Sequence, residues 1–349
     1  MLRYTRSSAD PLLHSSVYQV ALLLTVIYLV NITLFWTVTS GSPAAVAHWE
    51  LLPMSLFAVI LAVLLLPIGT WHKRGRGRFL RMLRRILTGG LDPDLRFADI
   101  LLADALTSYS KPLGDIALCI LMFVSGYSST NPTPDRTLGR VLVPCVIALP
   151  FLCRFRQCMI EYLRAMRKGL PAADRKPHLY NAAKYASAFP VIILSALQRF
   201  EFDADHPRAL TRAQTTGAWY VAVFVNSAFS FYWDVARDWE LSLFSAKRSC
   251  GEFPWGLRQV RHFVNDEVYY GAVGLDFLLR VTWAVKLSAG LDFYSSLEGG
   301  VFALQIMEVF RRFVWVFFRV EKEWVVSGRG VGLRMGEVEE GIVMNEYQD

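Results

Sequence analysis

The chain has 349 residues, 54% of them hydrophobic and 13% aromatic, with 37 Lys and Arg against 30 Asp and Glu. That apolar share exceeds the average of soluble domains and is gathered in runs of about 20 residues, enough to cross a bilayer, which points away from a soluble globular enzyme. The net charge of +7 does not point to nucleic acid, because a polytopic membrane protein keeps Lys and Arg in its cytosolic loops for topological reasons.

Taken in order, the first apolar run is 17–38, preceded by a short arm with Arg3 and Arg6. It is long enough to span and has no small-residue cleavage site after it, so it is expected to be a span rather than a signal peptide. Asn31-Ile32-Thr33 matches a glycosylation acceptor but lies inside this run, where it should stay unmodified. The second span is 51–68. The segment 71–85, with seven Lys and Arg, is the most basic of the chain. It reads either as a topology determinant resting on anionic headgroups or as a specific lipid or partner site.

Residues 98–125 are apolar but interrupted. Asp104, Thr107, Ser108 and Lys111 stand at helical spacing and form one polar stripe, while Pro112 and Gly114 should break or kink the helix. A polar stripe on a broken helix is a device of transporter sites; the alternative is two short helices with Asp104 merely near an interface. Further spans are expected at 138–153, ending in Arg154; at 178–200, with Asn181, Lys184 and Tyr185 near its start; at 214–234, running into Asp234 and Asp238; at 263–287, with Arg280 and Trp283; and at 301–319, with Glu308, Arg311 and Arg312. Loop charge alternates along this series. Eight Lys or Arg fall in 71–96 and further clusters in 154–176 and 237–261, against Arg136, Arg208 and Arg212 in all the opposite loops together. The expectation is an all-α, polytopic membrane bundle of about eight transmembrane helices, ten if breaks are hidden, with both termini cytosolic. It divides into 1–97, an N-terminal pair with a basic loop; 98–325, a transport core; and 326–349, a Gly- and Glu-rich tail read as disordered.

Arginine at the bilayer centre costs about 2.5–3.5 kcal/mol even on mild scales, so intramembrane charges are expected to face a polar interior and pair. Counting Arg154, Lys184, Arg280, Arg311 and Arg312 against Asp104, Asp234 and Asp238 leaves a surplus of about two positive charges, which a divalent oxyanion would balance. Glu308, three and four residues before Arg311 and Arg312, can pair with one of them and reduce the surplus to one. Duller readings also stand. Arg280–Trp283 can be a cation–π contact, Arg154 a cytosolic anchor, and Asp234–Asp238 an exposed carboxylate pair. The five cysteines show no paired or metal-type spacing. No phosphate-binding loop, dinucleotide signature, nucleophile elbow or zinc motif is found.

Arg154-Phe155-Arg156-Gln157-Cys158, the 177–185 segment from Pro177 to Tyr185, the 233–239 segment from Trp233 to Trp239, Leu279-Arg280-Val281-Thr282-Trp283 and the 308–315 segment from Glu308 to Trp315 resemble, in that order, the blocks of the EXS-domain family. This is the family of eukaryotic phosphate exporters that includes a retrovirus receptor. The resemblance, over about 98–325, implies phosphate contacts at Asp104, Thr107, Arg154, Lys184, Tyr185, Arg280, Trp283, Arg311 and Arg312. It places Ser110, Asn181, Asp234, Asp238 and Glu308 along the pathway. At Thr107 the exporters carry an asparagine; threonine keeps a hydroxyl and lacks the amide donor. Plasma-membrane members carry an N-terminal SPX domain that senses inositol pyrophosphates, and about 16 residues precede the first span here, so the resemblance implies the short Golgi branch without that regulation. The function implied is transport of inorganic phosphate from Golgi lumen to cytosol, in support of glycosylation and of glycosyltransferase retention. The alternative is a non-transporting sorting adaptor for glycosyltransferase recycling. A membrane-embedded transferase using Asp234 and Asp238 is a third reading. Expected partners are phosphate and membrane lipids, with glycosyltransferase tails, coat components or a second copy of the chain as candidates. No nucleic acid, metal, cofactor or catalytic residue is expected.

Overall fold

The structure is a computed structural model that describes residues 13–66, 73–89, 97–125, 136–200, 211–245, 254–258, 260–263, 265–282 and 298–326. Every regular element among them is helical: α1 Leu13–Thr39, α2 Pro43–His48, α3 Leu51–Leu65, α4 Lys73–Thr88, α5 Phe97–Ser108, α6 Ser110–Val124, α7 Arg136–Arg167, α8 Ala172–Ala186, α9 Ala188–Phe200, α10 Arg212–Trp233, α11 Asp266–Arg280 and α12 Glu298–Val326. Two of these helices, over Tyr18–Thr39 and Gly139–Arg167, are long and apolar enough to cross a membrane. The chain divides into two compact units, Met1–Ala103 with Gly114–Val143, and Asp104–Leu113 with Pro144–Asp349.

In the first unit, α1 ends where Ser40 and Gly41 take positive φ (45° and 77°). Such left-handed residues stop a helix and suit glycine. Pro43 then starts α2 at a position where its missing N–H costs nothing. Asn31 donates Nδ2 to the Leu52 carbonyl at 2.9 Å, so the glycosylation-like asparagine is a tie between α1 and α3. α4 joins α3 through Arg76, whose Nη1 donates to the Val63 and Leu66 carbonyls at 2.7 Å each. Arg85 closes the other end on Asp99.

The second unit holds the segments that matter for the site, and several of its helix bounds correct the sequence reading. The break expected at Pro112 and Gly114 falls at Tyr109, between α5 and α6. Pro112 has no N–H to give the Ser108 carbonyl, so the helix stops one turn before the proline and restarts with the Leu113 N–H bonded to the Tyr109 carbonyl at 2.9 Å. The span expected to end at Cys153 runs on to Arg167 as α7 despite Pro144 and Pro150 inside it. Arg154 is therefore a mid-helix residue and not an anchor at a span end. The span expected over 178–200 is two helices, α8 and α9, parted at Ser187, whose hydroxyl donates to the Lys184 carbonyl at 2.6 Å. α10 has a capping box, Thr211 with Gln214. It continues into one π-helical turn, Asp234–Asp238, a feature that often marks functional sites because it re-aims side chains. α11 covers the described part of the 263–287 span, and Trp283 lies outside the described residues.

Candidate functional site

The helices of the second unit bring their charged side chains to one place. On α5, Asp104 is buried and receives Arg154 Nε at 2.7 Å and the Tyr185 hydroxyl. Arg154 also reaches Gln157 Oε1 at 2.6 Å and Tyr185 Oη at 3.1 Å, and its guanidinium lies 4.8 Å from the centre of the Tyr185 ring. Lys184 Nζ lies between Asp234 (3.1 Å) and Asp238 (3.2 Å), the two carboxylates of the π-helical turn. Asp234, with no exposed surface, also holds Arg280 and sits 3.4 Å from Arg311. These carboxylates are thus cation-paired and not an exposed pair at a helix end.

Asp276, one turn before Arg280 on α11, has no counterpart in the sequence reading. Its carboxylate takes Arg280 Nε at 3.1 Å and Arg311 Nη1 at 2.9 Å. The spacing of four residues was visible, but an Asp and an Arg one helical turn apart are common on exposed helix faces; only the convergence of α11 on α12 buries them. Glu308 does what its spacing allowed, pairing with Arg311 (Oε1–Nη2 2.6 Å, Oε2–Nε 2.9 Å) and accepting from Ser108 Oγ at 2.7 Å.

This overturns the expected surplus of positive charge. Asp276 and Glu308 raise the carboxylates to five, against the five cations counted from the sequence, Arg154, Lys184, Arg280, Arg311 and Arg312; Lys111 in the cavity wall and Arg319, 3.9 Å from Asp238, lie outside that count. Balance is what burial demands, since an unpaired charge in a low-dielectric interior is costly.

The balance is uneven in space. Among the described residues, Arg312 bonds no carboxylate. Its Nε donates to Ser108 Oγ at 2.9 Å, its Nη2 to Thr107 Oγ1 at 3.3 Å, and its Nη1 is buried without a partner. The guanidinium stacks over Trp315, 4.6 Å from the ring centre, a cation–π contact that orients it without neutralising it. Thr107 in turn donates to the Asp104 carbonyl at 2.7 Å, which fixes its oxygen as an acceptor for Arg312. Trp315 is itself held by Trp239, which donates Nε1 to the Trp315 carbonyl at 3.3 Å and packs on Phe318.

Arg312 fronts a cavity of about 300 Å³, at the lower end of the range for small-ligand sites. Thr107, Ser108, Ser110 and Lys111 line it from α5 and α6, Lys184 and Tyr185 from α8, Asn226, Ser227 and Ser230 from α10, Arg280 from α11, and Glu308, Arg311 and Arg312 from α12. Of the residues expected to contact the ligand, Thr107, Lys184, Tyr185, Arg280, Arg311 and Arg312 line this space. Asp104 and Arg154 stand behind it. Of the expected pathway residues, Ser110 and Glu308 line it. Asp234 and Asp238 support it from behind, and Asn181 is not in its wall. The sequence reading did not single out Asn226, Ser227 and Ser230, since small polar residues in an apolar helix carry little signal alone. Chemically, the wall offers planar guanidinium forks, the ammonium groups of Lys111 and Lys184, and several hydroxyls. That donor set matches a tetrahedral oxyanion.

Fold and site together define a protein whose described regular elements are all helical, with an arginine-lined cavity and two helices long and apolar enough to cross a membrane. A family model described as the EXS family matches residues 1–325, a longer stretch than the 98–325 over which the motif blocks run. Protein ERD1 homolog 1 of Schizosaccharomyces pombe is 33% identical over 276 residues, covering 78% of this chain and 68% of that protein. Protein ERD1 of Kluyveromyces lactis is 31% identical over 244 residues, 66% of this chain and 59% of that one. The Xenotropic and polytropic retrovirus receptor 1 homolog of Xenopus laevis is 30% identical over 285 residues, 78% of this chain but 38% of the receptor homologue. The chain belongs to the EXS family.

Proposed function

We propose that this protein carries inorganic phosphate across the Golgi membrane, from lumen to cytosol, through the arginine-lined cavity. The observation that carries the reading is Arg312. It is a buried guanidinium with an unpartnered N–H, fixed by Ser108, Thr107 and Trp315, and it faces a cavity of phosphate-compatible size. A phosphate oxygen satisfies that donor. Further oxygens reach Lys184, Arg280 and the serine hydroxyls of the wall. Because the other cations are already paired, substrate enters by exchange. Glu308, whose side chain is 38% exposed against 3% for its partner Arg311, is the carboxylate that yields. Asp104, Asp234, Asp238 and Asp276 hold the cations in place, which resists collapse of the site when the substrate leaves.

In this reading about eight spans cross the bilayer with both termini cytosolic, and 98–325 is the transport core after an N-terminal pair. Kinship with ERD1 proteins and the retrovirus-receptor family supports a Golgi carrier, whose removal of phosphate from the lumen sustains glycosylation and glycosyltransferase retention. The test is flux into sealed liposomes holding purified protein. The native chain moves radiolabelled phosphate down its gradient, and Arg312→Gln reduces the rate at least about tenfold, as expected for losing a charged hydrogen bond, with its melting temperature in detergent little changed. Native-like flux in Arg312→Gln would refute the site.

A sorting adaptor for glycosyltransferase recycling is the second reading, favoured by the exposed arginines of α4. Neutralising them separates the two. An adaptor shows no phosphate flux in liposomes and loses enzyme retention with these arginines, whereas a carrier shows flux and loses retention only when cavity variants lose it.

A further inference from the structure

The basic helix α4 contributes nothing to the cavity wall, and its arginines divide by role. Placed at about 100° per residue, Phe79, Leu80, Met82, Leu83, Ile86 and Leu87 fall on one half of the helix, with Arg76 among them. Lys73, Arg74, Arg78, Arg81, Arg84 and Arg85 fall on the other. The one arginine on the apolar half is buried, 7% exposed, and is used internally, its Nη1 shared by the Val63 and Leu66 carbonyls. Those carbonyls belong to the C-terminal end of α3, a helix of 15 apolar or small residues, where no further turn supplies N–H donors. Arg76 therefore pins the start of α4 to the point where an apolar helix stops. Ile86, 1% exposed, is packed inward, and Arg85 is tied to Asp99 at 2.6 Å.

Arg78, Arg81 and Arg84 remain. They are exposed, three residues apart on one stripe, and bond no carboxylate among the described residues; Arg81 Nε only touches the Gly77 carbonyl at 3.1 Å. No acidic residue occurs anywhere from Leu51 to Leu91. Phe79 and Leu87, 36% and 44% exposed, flank the stripe with apolar side chains. A helix that starts at the end of an apolar span, with exposed apolar groups beside an unneutralised arginine row, has the makeup of an interfacial helix.

We propose that α4 lies along the membrane interface and that Arg78, Arg81 and Arg84 bind anionic lipid headgroups. The guanidinium forks take lipid phosphate and carboxylate oxygens, and Phe79 and Leu87 enter the acyl boundary. This rests on the membrane reading of the chain and not on phosphate transport, so it stands or falls separately from the cavity. Each arginine at an anionic surface is worth about a fivefold bias, and the three together roughly a hundredfold.

The experiment is amide hydrogen exchange over 77–88 in the full chain, held in nanodiscs of phosphatidylcholine alone or mixed with phosphatidylserine. The native protein is expected to exchange at least about tenfold more slowly in the anionic discs. The triple variant R78Q/R81Q/R84Q loses that difference and matches native exchange in the neutral discs, whereas R78K/R81K/R84K, which keeps the charge, retains most of it. Exchange across α3 serves as the folding control. If the glutamine variant perturbs α3, raised salt on the native protein gives the same test, since it screens headgroup attraction. Equal native exchange in both discs overturns the proposal, as does a lipid dependence that survives the glutamine variant or high salt. Protection that appears only with an added acidic protein, and not with anionic lipid, assigns the stripe to a protein partner and overturns it too.

Discussion

At the level of single residues, the cavity is governed by which carboxylate each cation keeps. Glu308 and the substrate compete for the same N–H groups, because its two oxygens cover Nε and Nη2 of Arg311. Glu308→Gln removes the competing charge, so phosphate is expected to bind several-fold more tightly while turnover falls, since release then has no carboxylate to reclaim Arg311. Equilibrium binding set beside liposome flux checks this, and weaker binding in the variant would sink it. Asp276 answers to a different measurement. It is 3% exposed and shared by Arg280 and Arg311, so Asp276→Asn leaves these two to Asp234 and Glu308 and one buried positive charge uncompensated, at a cost of about 3–5 kcal/mol. The expected result is a sharp drop in detergent melting temperature, partly restored by adding Arg280→Gln, which removes the excess charge. Glu308 and Asp276 also show what sequence could reveal at this scale. Both stand one helical turn from an arginine. Glu308 was legible because it sits in an apolar run beside two costly arginines, whereas Asp276 follows two glycines and a tyrosine pair that give no sign of depth. The charge arithmetic failed on that one residue.

Among the elements, the interruption between α5 and α6 explains how one short segment presents so many polar groups to one space. Ser108 and Ser110 are 4% and 8% exposed, and both line the cavity. On a continuous helix, residues two apart point to nearly opposite sides; they share a wall only because the helix stops at Tyr109 and starts again. Pro112 imposes the stop by withholding an N–H from the Ser108 carbonyl. Pro112→Ala returns that donor and favours a continuous helix, which turns Ser110 and Lys111 away from Thr107 and Ser108. Phosphate flux should fall at least tenfold while the melting temperature holds, since proline in the first turn of α6 takes no hydrogen bond from that helix. Unchanged flux would show that the break has no part in the site. The existence of this break was legible from Pro112 and Gly114, but its position was not, because a proline acts on the residue four positions earlier. The parting of α8 and α9 at Ser187 has its mark in Pro190, which has no N–H to give the Ala186 carbonyl, a signal masked by the apolar run that continues through it; the Ser187 hydroxyl then bonds the Lys184 carbonyl within the last turn.

For the molecule as a whole, α12 shows the inversion that a bilayer requires. Phe302, Ile306, Phe310, Phe313, Phe317 and Val320 recur every three or four residues and are all exposed, from 42% to 61%. Arg311, Arg312, Trp315 and Phe318 on the same helix are buried, none more than 7% exposed. In water this arrangement puts a long apolar stripe outside and charge inside, which soluble monomers rarely do; lipid suits it, with the charges shielded among themselves. α10 repeats the pattern, Val221, Phe224 and Val225 being at least half exposed while Ser230 and Trp233 are buried. The opposing surfaces make a test that leaves the cavity untouched. Phe313, 58% exposed, sits beside Arg312 in sequence yet on the other side of the helix, so Phe313→Leu should be silent in membrane yield and in flux. Phe313→Asp places a carboxylate in hydrocarbon at a cost of about 2.5–3.5 kcal/mol, and it also attracts Arg312 toward the wrong face. Membrane-extracted, monodisperse protein is expected to drop several-fold for Asp and not for Leu. Equal yields would mean that this stripe meets water or a protein partner, and the orientation of every other helix in the bundle would have to be argued again from that result.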